Sequence, residues 1–159
     1  MIARSTDHPD FALLVTIAAR AVADGLLAAH ADAGFGWMKS QYGFVLRALG
    51  DEGLRLTEIA ERLGVSKQAA LQIVDEMESH GLIARQTSAE DRRAKLIRVT
   101  KSGRKVRSTA LAASKRMEAR LRRQLGERAL ADCRAVLTRF IERHGGAEEA
   151  RRGRARPVW

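Results

Sequence analysis

The sequence has little cysteine and lacks long uncharged apolar stretches, and both shortages restrict what the chain can be. Its single cysteine, Cys133, excludes an intramolecular disulfide bond and is typical of a reducing compartment. Arg4 is followed by Asp7 and Asp10, so the N-terminal segment lacks the cationic run of a secretory signal. Without about 20 consecutive uncharged apolar residues, no membrane-spanning segment is expected. Together these features predict a cytoplasmic protein.

The sequence also lacks the motifs that carry enzymatic or metal chemistry. It contains no glycine-rich phosphate loop, no nucleophile elbow and no paired carboxylates outside ordinary helix surfaces. Its four histidines, at positions 8, 30, 80 and 144, have no cysteine or carboxylate at metal-ligand spacing. We therefore expect no catalytic activity, no metal site and no cofactor.

Basic residues, in contrast, are abundant and unevenly placed. The 159 residues are 45% apolar and 30% charged, which is typical of one folded domain, and the net charge is +10. Residues 1–65 carry 6 basic and 8 acidic side chains, whereas residues 101–128 carry 10 and 2. This excess favours a polyanionic partner, either a nucleic acid or an acidic surface, although charged helix faces can also be simply solvated.

The segment from Leu56 to Thr100 has the order of a winged helix-turn-helix. LTEIAERLG predicts a helix with Thr57 as N-cap and Gly64 at its end, and SKQAALQIVDEMESHG predicts a second helix capped by Ser66 and stopped by Gly81. LIARQ and KLIRVT then read as two strands around the polar loop 88–94. This order predicts a DNA-reading lobe with a β-wing.

The flanking segments predict further helices. We expect helices from Phe11 to Ala31, from Trp37 or Met38 to Gly50, from Thr100 to Gly126, and from about Glu127 to Arg143. A short strand over residues 54–56 can join the wing. The last helix is expected to turn one apolar stripe inward, consisting of Leu130, Cys133, Val136, Leu137 and Phe140, with Cys133 a buried, inert thiol.

These elements predict a mainly α fold with a small β-wing, an α+β arrangement within one structural domain. Residues 1–36 are assigned to an N-terminal dimerisation helix, 37–100 to the winged helix-turn-helix lobe, 101–144 to C-terminal dimerisation helices, and 145–159 to a basic tail. The apolar seams of the first and last helices exceed what the lobe between them can cover. Pairing two copies would bury these seams, so a homodimer is expected.

The polar face of the second helix is the candidate base-reading surface. At about 100° per residue, Gln68, Leu71, Gln72 and Asp75 fall opposite the apolar stripe. Glutamine can pair with adenine through two hydrogen bonds, and Leu71 can contact a thymine methyl group. Ser66 and Lys67 lie at the helix start, where phosphate oxygens bind best. The alternative is that these polar residues are only solvated.

The wing supplies a second candidate contact. Asp91 is two residues before Arg93 and can orient its guanidinium at the loop tip, where an arginine can enter a narrow minor groove. Arg92 can bind a phosphate. A hairpin with a charged tip is also a common solubility device.

With these motifs the chain resembles the MarR family of bacterial winged helix-turn-helix transcription regulators. WMKSQYGFVLRAL is similar to the family's second helix, LTEIAERLGVSKQAALQIVDEMESHGLIAR to its reader, and DRRAKLIRVTKSGR to its wing. The resemblance implies a homodimer with interlocking terminal helices and DNA contacts from Ser66, Lys67, Gln68, Gln72 and Arg93, with Asp91 supporting Arg93. Leu71 and Gln72 stand where many members have threonine and arginine, so the family's base preference does not carry over.

The resemblance also implies regulation by a ligand. Similar proteins bind small phenolic or other aromatic anions between the dimer helices and the DNA-binding lobes, and His30, Trp37, Met38 and Tyr42 can line such a cleft. Ordinary core packing is the alternative for these four residues. The expected function is a sequence-specific dimeric regulator, a repressor released by such a ligand, acting on double-stranded DNA at an inverted-repeat operator. The alternative is a nonspecific architectural nucleic-acid-binding protein.

Overall fold

The computed structural model describes residues 9–87, 95–144, 146 and 148. Within them the chain forms six helices and one two-stranded antiparallel sheet. The elements are α1 (Phe11–Asp32), α2 (Ser40–Leu49), α3 (Leu56–Leu63), α4 (Lys67–Ser79), β1 (Ile83–Thr87), β2 (Lys95–Val99), α5 (Lys101–Leu125) and α6 (Glu127–Arg143). The mainly α fold with a small β-wing is confirmed.

Side-chain caps fix the start of three helices. The Asp10 carboxylate accepts a hydrogen bond from the Leu13 N–H at 2.9 Å, and the Ser66 hydroxyl accepts one from the Ala69 N–H at 3.1 Å. Thr100 caps α5 in the same way, accepting from the Gly103 N–H at 3.1 Å. Each cap satisfies a backbone donor that the helix itself leaves without a partner.

Three local predictions differ from the structure. Thr57 does not cap α3, because Arg55, two residues earlier, holds the N-cap position, and its N–H donates to Glu58 Oε2 at 2.8 Å. Helix α2 begins at Ser40, since a turn in which the Met38 N–H bonds to the Phe35 carbonyl at 2.9 Å precedes it. The expected strand over residues 54–56 is reduced to a single bridge between Leu54 and Ile97.

The core lies where α2, α3 and α4 meet the base of the hairpin and the first turns of α5. Residues 83 and 99 pair at the open end of the hairpin, and residues 87 and 95 pair next to the loop. The largest fully buried side chains of the core come from these helices and from the base of the hairpin, and they include Tyr42, Leu46, Ile59, Met77, Leu82 and Val106. This core fixes α4 relative to the wing.

The remaining helices leave much apolar surface uncovered. Helix α1 packs along α5, and α5 continues into α6, but none of the residues of α6 is buried. The predicted inward stripe of α6 is therefore exposed in the protomer, with Val136 53% and Phe140 44% accessible, and Cys133 is exposed instead of buried. The part of the chain that the structure describes leaves most of this side of α6 exposed.

Helix α1 is, among the described residues, long and apolar enough to cross a membrane by length and composition alone. An 18-residue stretch of it has no buried residue, and its interior carries the Arg20–Asp24 ion pair at 3.0 Å. A core helix of a soluble protein passes the same test. The expectation that nothing spans a membrane thus stays a prediction.

Candidate nucleic-acid interface

A tight turn sets the angle between α3 and α4. Gly64 ends α3 with a φ of 69°, a left-handed conformation that glycine adopts without steric cost. The Val65 N–H returns to the Ala60 carbonyl at 3.1 Å, and Ser66 then caps α4. The turn and the cap together fix where the second helix begins and which face it presents.

Helix α4 divides cleanly into a buried and an exposed face. Its core side consists of Ala70, Ile73, Val74 and Met77, all buried. The opposite side consists of exposed side chains: Lys67, Gln68, Leu71, Gln72 and Asp75. Leu71 is 40% accessible although the core is directly beneath the helix. The predicted reading face is therefore available to a partner, and it includes an apolar side chain suited to a methyl group.

The first turn of α4 favours an anion. The backbone N–H groups at the start of a helix point outward along its axis and carry a partial positive charge. Ser66 and Lys67 are both exposed at this end, and no acidic residue lies in the first turn. This arrangement suits a phosphate oxygen.

The far end of α4 is tied to the wing by an arginine. Arg85, on β1, contacts both Asp75, at 2.5 Å, and Glu78. The hydrogen bond that Arg85 donates to Asp75 and the nearby Glu78 charge raise the pKa of Arg85, so it stays protonated. Arg85 therefore partly neutralises Asp75 on the reading face, and α4 and the hairpin are held together. The sequence does not predict this contact, because periodicity does not tell how a strand lies against a helix.

A second polar cluster joins α4 to Lys39 and the first turn of α2. Lys39 Nζ and Tyr42 Oη each donate to Glu76 Oε2 at 2.7 Å. The hydrogen bonds from Lys39 and then Tyr42 lower the pKa of Glu76 below its ordinary value, so the carboxylate is charged near neutral pH. Burial raises the pKa of Tyr42, which keeps its proton and acts as a donor. Glu76 was not among the residues predicted from the sequence.

The four residues expected to line a ligand cleft lie close together but largely in the core. His30, Met38 and Tyr42 are buried, with Tyr42 wholly inaccessible. Trp37 is partly buried and stacks on His80, with ring centroids 4.0 Å apart and an angle of 5° between the planes. Trp37 thus contacts His80, which caps the end of α4, and Tyr42 contacts Glu76 in its last turns. Packing accounts for these positions without a ligand.

An open cleft lies beside these residues, between α2 and α4. Its volume is about 310 Å³, and its lining consists of Gln41, Val65, Ala69, Gln72, Ile73 and Glu76. The cleft therefore borders the reading face itself. Among the described residues, no group of three or more His, Cys, Asp or Glu side chains is placed to hold a metal ion.

The predicted wing contacts Asp91, Arg92 and Arg93 lie outside the described residues. The strands that carry them are described. Ile97 of β2 is buried against the core, and its neighbours Leu96 and Arg98 are partly exposed. The base of the hairpin is thereby fixed to the same core that positions α4.

Comparisons with known proteins agree with this geometry. Residues 38–94 match the family model described as the MarR family. An uncharacterised HTH-type transcriptional regulator of Bacillus subtilis, YfiV, is 32% identical over 75 residues, which are 44% of this chain and 47% of the relative. The chain thus aligns with about half the length of that curated relative.

Solved structures extend the likeness over most of the fold. The S. aureus MepR–DNA complex is 24% identical with a TM-score of 0.64, and the match covers 83% of this chain and 96% of MepR. CouR from Rhodococcus jostii, bound to p-coumaroyl-CoA, is 24% identical with a TM-score of 0.62, over 84% of this chain and 94% of CouR. Over residues 38–94 the chain is therefore similar to the MarR family, and over most of its length it has the fold of MepR and CouR.

Proposed function

We propose that this protein is a homodimeric, sequence-specific transcription regulator that reads double-stranded DNA with α4. The observation that carries the proposal is the exposed face of Gln68, Leu71 and Gln72 on a capped helix whose opposite face is fixed in the core. A major groove admits an α-helix, and each glutamine can pair with adenine while Leu71 meets a thymine methyl group. Ser66 and Lys67 take phosphates at the helix start and set its register.

The wing adds affinity in this proposal. Arg93, oriented by Asp91, enters the minor groove, and Arg92 binds the backbone. Because phosphate contacts release counterions, binding falls steeply with salt. The described base of the hairpin supports this role, since Arg85 holds it against α4.

Dimerisation by α1, α5 and α6 is the second part of the proposal. Their exposed large apolar side chains include Leu13, Ile17, Leu111, Leu125, Val136 and Phe140. A second copy of the chain is the occupant that buries all three helices at once, and a two-fold dimer places two α4 helices about one DNA turn apart. The operator is then an inverted repeat with half-sites centred about 10 base pairs apart.

A matched pair of variants tests the dimer. Val136→Glu places a carboxylate on the exposed apolar side of α6, and Thr138→Glu places one on its polar side. We expect Val136→Glu to sediment as a monomer and Thr138→Glu as a dimer, because a charge buried in an apolar interface is strongly unfavourable. A dimer that survives Val136→Glu argues against this interface.

A small aromatic anion releases the protein from its operator in this proposal, which makes it a repressor. CouR, bound to p-coumaroyl-CoA, supports an aromatic ligand in this fold. His30, Trp37, Met38 and Tyr42 lie where α1 meets the DNA-binding lobe, so a ligand that rearranges them changes how α4 is held. Titrating aromatic acids into the protein–operator complex tests this, and release at saturating ligand is the expected result.

The DNA-binding proposal is tested with duplexes that the protein selects from a random library. We expect an inverted repeat, protected in a footprint, and about a tenfold or greater loss of affinity for Gln68→Ala or Gln72→Ala. Gln124→Ala, an exposed glutamine on α5, is the matched control and leaves affinity unchanged. Equal affinity for selected and random DNA selects the architectural alternative, which the excess of basic residues over 101–128 favours.

A further inference from the structure

We propose that Glu76 is a specificity-positioning residue, whose anchored carboxylate holds the side-chain amide of Gln72 in the orientation that reads adenine. The inference rests on the proposed function, because it takes α4 to lie in a major groove. In this proposal Glu76 does not itself contact a base. It lies one helical turn after Gln72 on α4 and acts on the base through Gln72.

The carboxylate of Glu76 is anchored from the core side. Tyr42, which is wholly buried, donates its hydroxyl to Oε2 at 2.7 Å, and Lys39 donates to the same oxygen at 2.7 Å. The Lys39 ammonium also lies 5.6 Å from the centroid of the Tyr42 ring, so the two donors support each other. Both donors use Oε2, which leaves Oε1 able to accept another N–H.

Gln72 is the neighbour placed to use that oxygen. Residues 72 and 76 are four apart on α4, the spacing at which helix side chains meet, and both line the cleft beside α2. A hydrogen bond from Gln72 is also one of the interactions that lower the pKa of Glu76. A carboxylate only accepts, so in this proposal Gln72 turns its NH₂ group toward Glu76.

This orientation leaves the reading edge of the amide intact. Pairing with adenine uses the amide oxygen and the N–H on the same side as that oxygen. The N–H on the far side remains for Glu76. A Gln72 side chain without this restraint can reverse its amide and offer two N–H donors to guanine, whose N7 and O6 are both acceptors. Glu76 therefore supplies discrimination between adenine and guanine, not general affinity.

The test uses the full-length protein and a duplex that the wild type selects from a random library. Single-base variants of that duplex, compared between the wild type and Gln72→Ala, identify the base pair that Gln72 reads. At that pair we expect the wild type to discriminate by about tenfold and Glu76→Gln by about twofold, because an amide at position 76 no longer obliges Gln72 to donate. Glu142→Gln, an exposed glutamate on α6, is the charge-matched control and keeps wild-type discrimination.

A double-mutant cycle separates positioning from general support of α4. If Glu76 acts through Gln72, Gln72→Ala with Glu76→Gln discriminates no worse than Gln72→Ala alone. Equal weakening on every duplex, with the discrimination ratio unchanged, overturns the inference and leaves Glu76 a structural contact. Wild-type discrimination near one at every base pair instead overturns the proposed function.

A milder variant keeps the inference testable if Glu76→Gln fails to fold. Lys39→Met retains an apolar stem at a half-exposed position and removes one of the two anchors. We expect discrimination at the Gln72 base pair to fall about twofold in this variant, with other base pairs unaffected. If Glu76→Gln does not fold and Lys39→Met discriminates as the wild type does, the positioning role of Glu76 is refuted.

Discussion

Gly103 leaves the least room for a side chain among the described glycines, and we predict that Gly103→Ala strongly destabilises the fold. A Cβ built at this position lies 2.2 Å from the Leu82 carbonyl oxygen and 2.7 Å from Val99 Cγ1. The Leu82 carbonyl cannot move away easily, because it accepts hydrogen bonds from both the Thr100 N–H and the Thr100 hydroxyl at 3.0 Å. To relieve the clash between the new Cβ and the Leu82 carbonyl oxygen, α5 has to shift away from the base of the wing by about 1 Å, given ordinary contact distances.

The magnitude follows from two opposing effects. Overpacking a filled site costs about 1–3 kcal/mol, and the upper end applies because the neighbour is backbone. Replacing glycine by alanine in a helix returns at most about 1 kcal/mol, and less in the first turn. The expected net loss in the free energy of unfolding is therefore about 2 kcal/mol.

Gly43 provides the matched control and the denaturation midpoint provides the measurement. Gly43 lies inside α2, and a Cβ there meets nothing within 4 Å, so Gly43→Ala should gain about 0.5–1 kcal/mol. Urea denaturation at one fixed protein concentration compares both variants with the wild type. A Gly103→Ala protein as stable as Gly43→Ala refutes the close approach of α5 to Leu82.

Three further predictions concern the cap, the buried histidine and the tail. Ser66→Ala should lower the free energy of unfolding by about 1 kcal/mol in urea denaturation, because the Ala69 N–H loses its acceptor; no loss would show that the cap is dispensable. Burial lowers the pKa of His30 below the ordinary histidine value of 6.5, because it favours the neutral imidazole. The stability of the fold that depends on neutral His30 is therefore complete above pH 6.5 and is lost as the pH falls below 6.5. His30→Gln should weaken this dependence in denaturation at pH 7.5 and 5.5, and an equal dependence would contradict it. Deleting residues 147–159, where four arginines lie, should weaken binding to operator and random DNA alike and reduce the salt slope; an unchanged slope would exclude a basic arm.

The local elements of this fold are encoded in short stretches and were predicted well from them. Ser66 and Thr100 cap their helices as expected, Gly126 separates the last two, and α6 runs from Glu127 to Arg143. Each of these features depends on a few neighbouring residues. Thr57 misled the prediction for a similar reason: threonine is a common N-cap, but here α3 begins earlier and Glu58 satisfies the backbone of Arg55.

The polar contacts that hold α4 depend on pairs far apart in the chain. Lys39 and Glu76 are 37 residues apart, and Arg85 reaches Asp75 across the junction between α4 and β1. Helical periodicity places Glu76 on the flank of α4 but does not indicate which residue faces it. The exposed face of α4 was predictable because it needs only the phase of one helix, whereas the contacts that hold α4 in place need the packing of several.

The exposed stripe of α6 shows where prediction from one chain must stop. The three- and four-residue spacing of Leu130, Cys133, Leu137 and Phe140 places them on one side of α6, and the Phe140 ring lies 5.5 Å from that of Phe11 at the start of α1 and 4.4 Å from that of His144, measured between centroids. A periodic pattern specifies that a face avoids water, but it does not specify what covers the face. Among the described residues α1 and α5 leave similar apolar surfaces open, and in the proposed dimer a second copy of the chain covers them. In the proposed dimer the spacing of the two α4 helices is a property of that assembly, and substitutions on the apolar stripe of α6, far from α4, should alter operator binding through it.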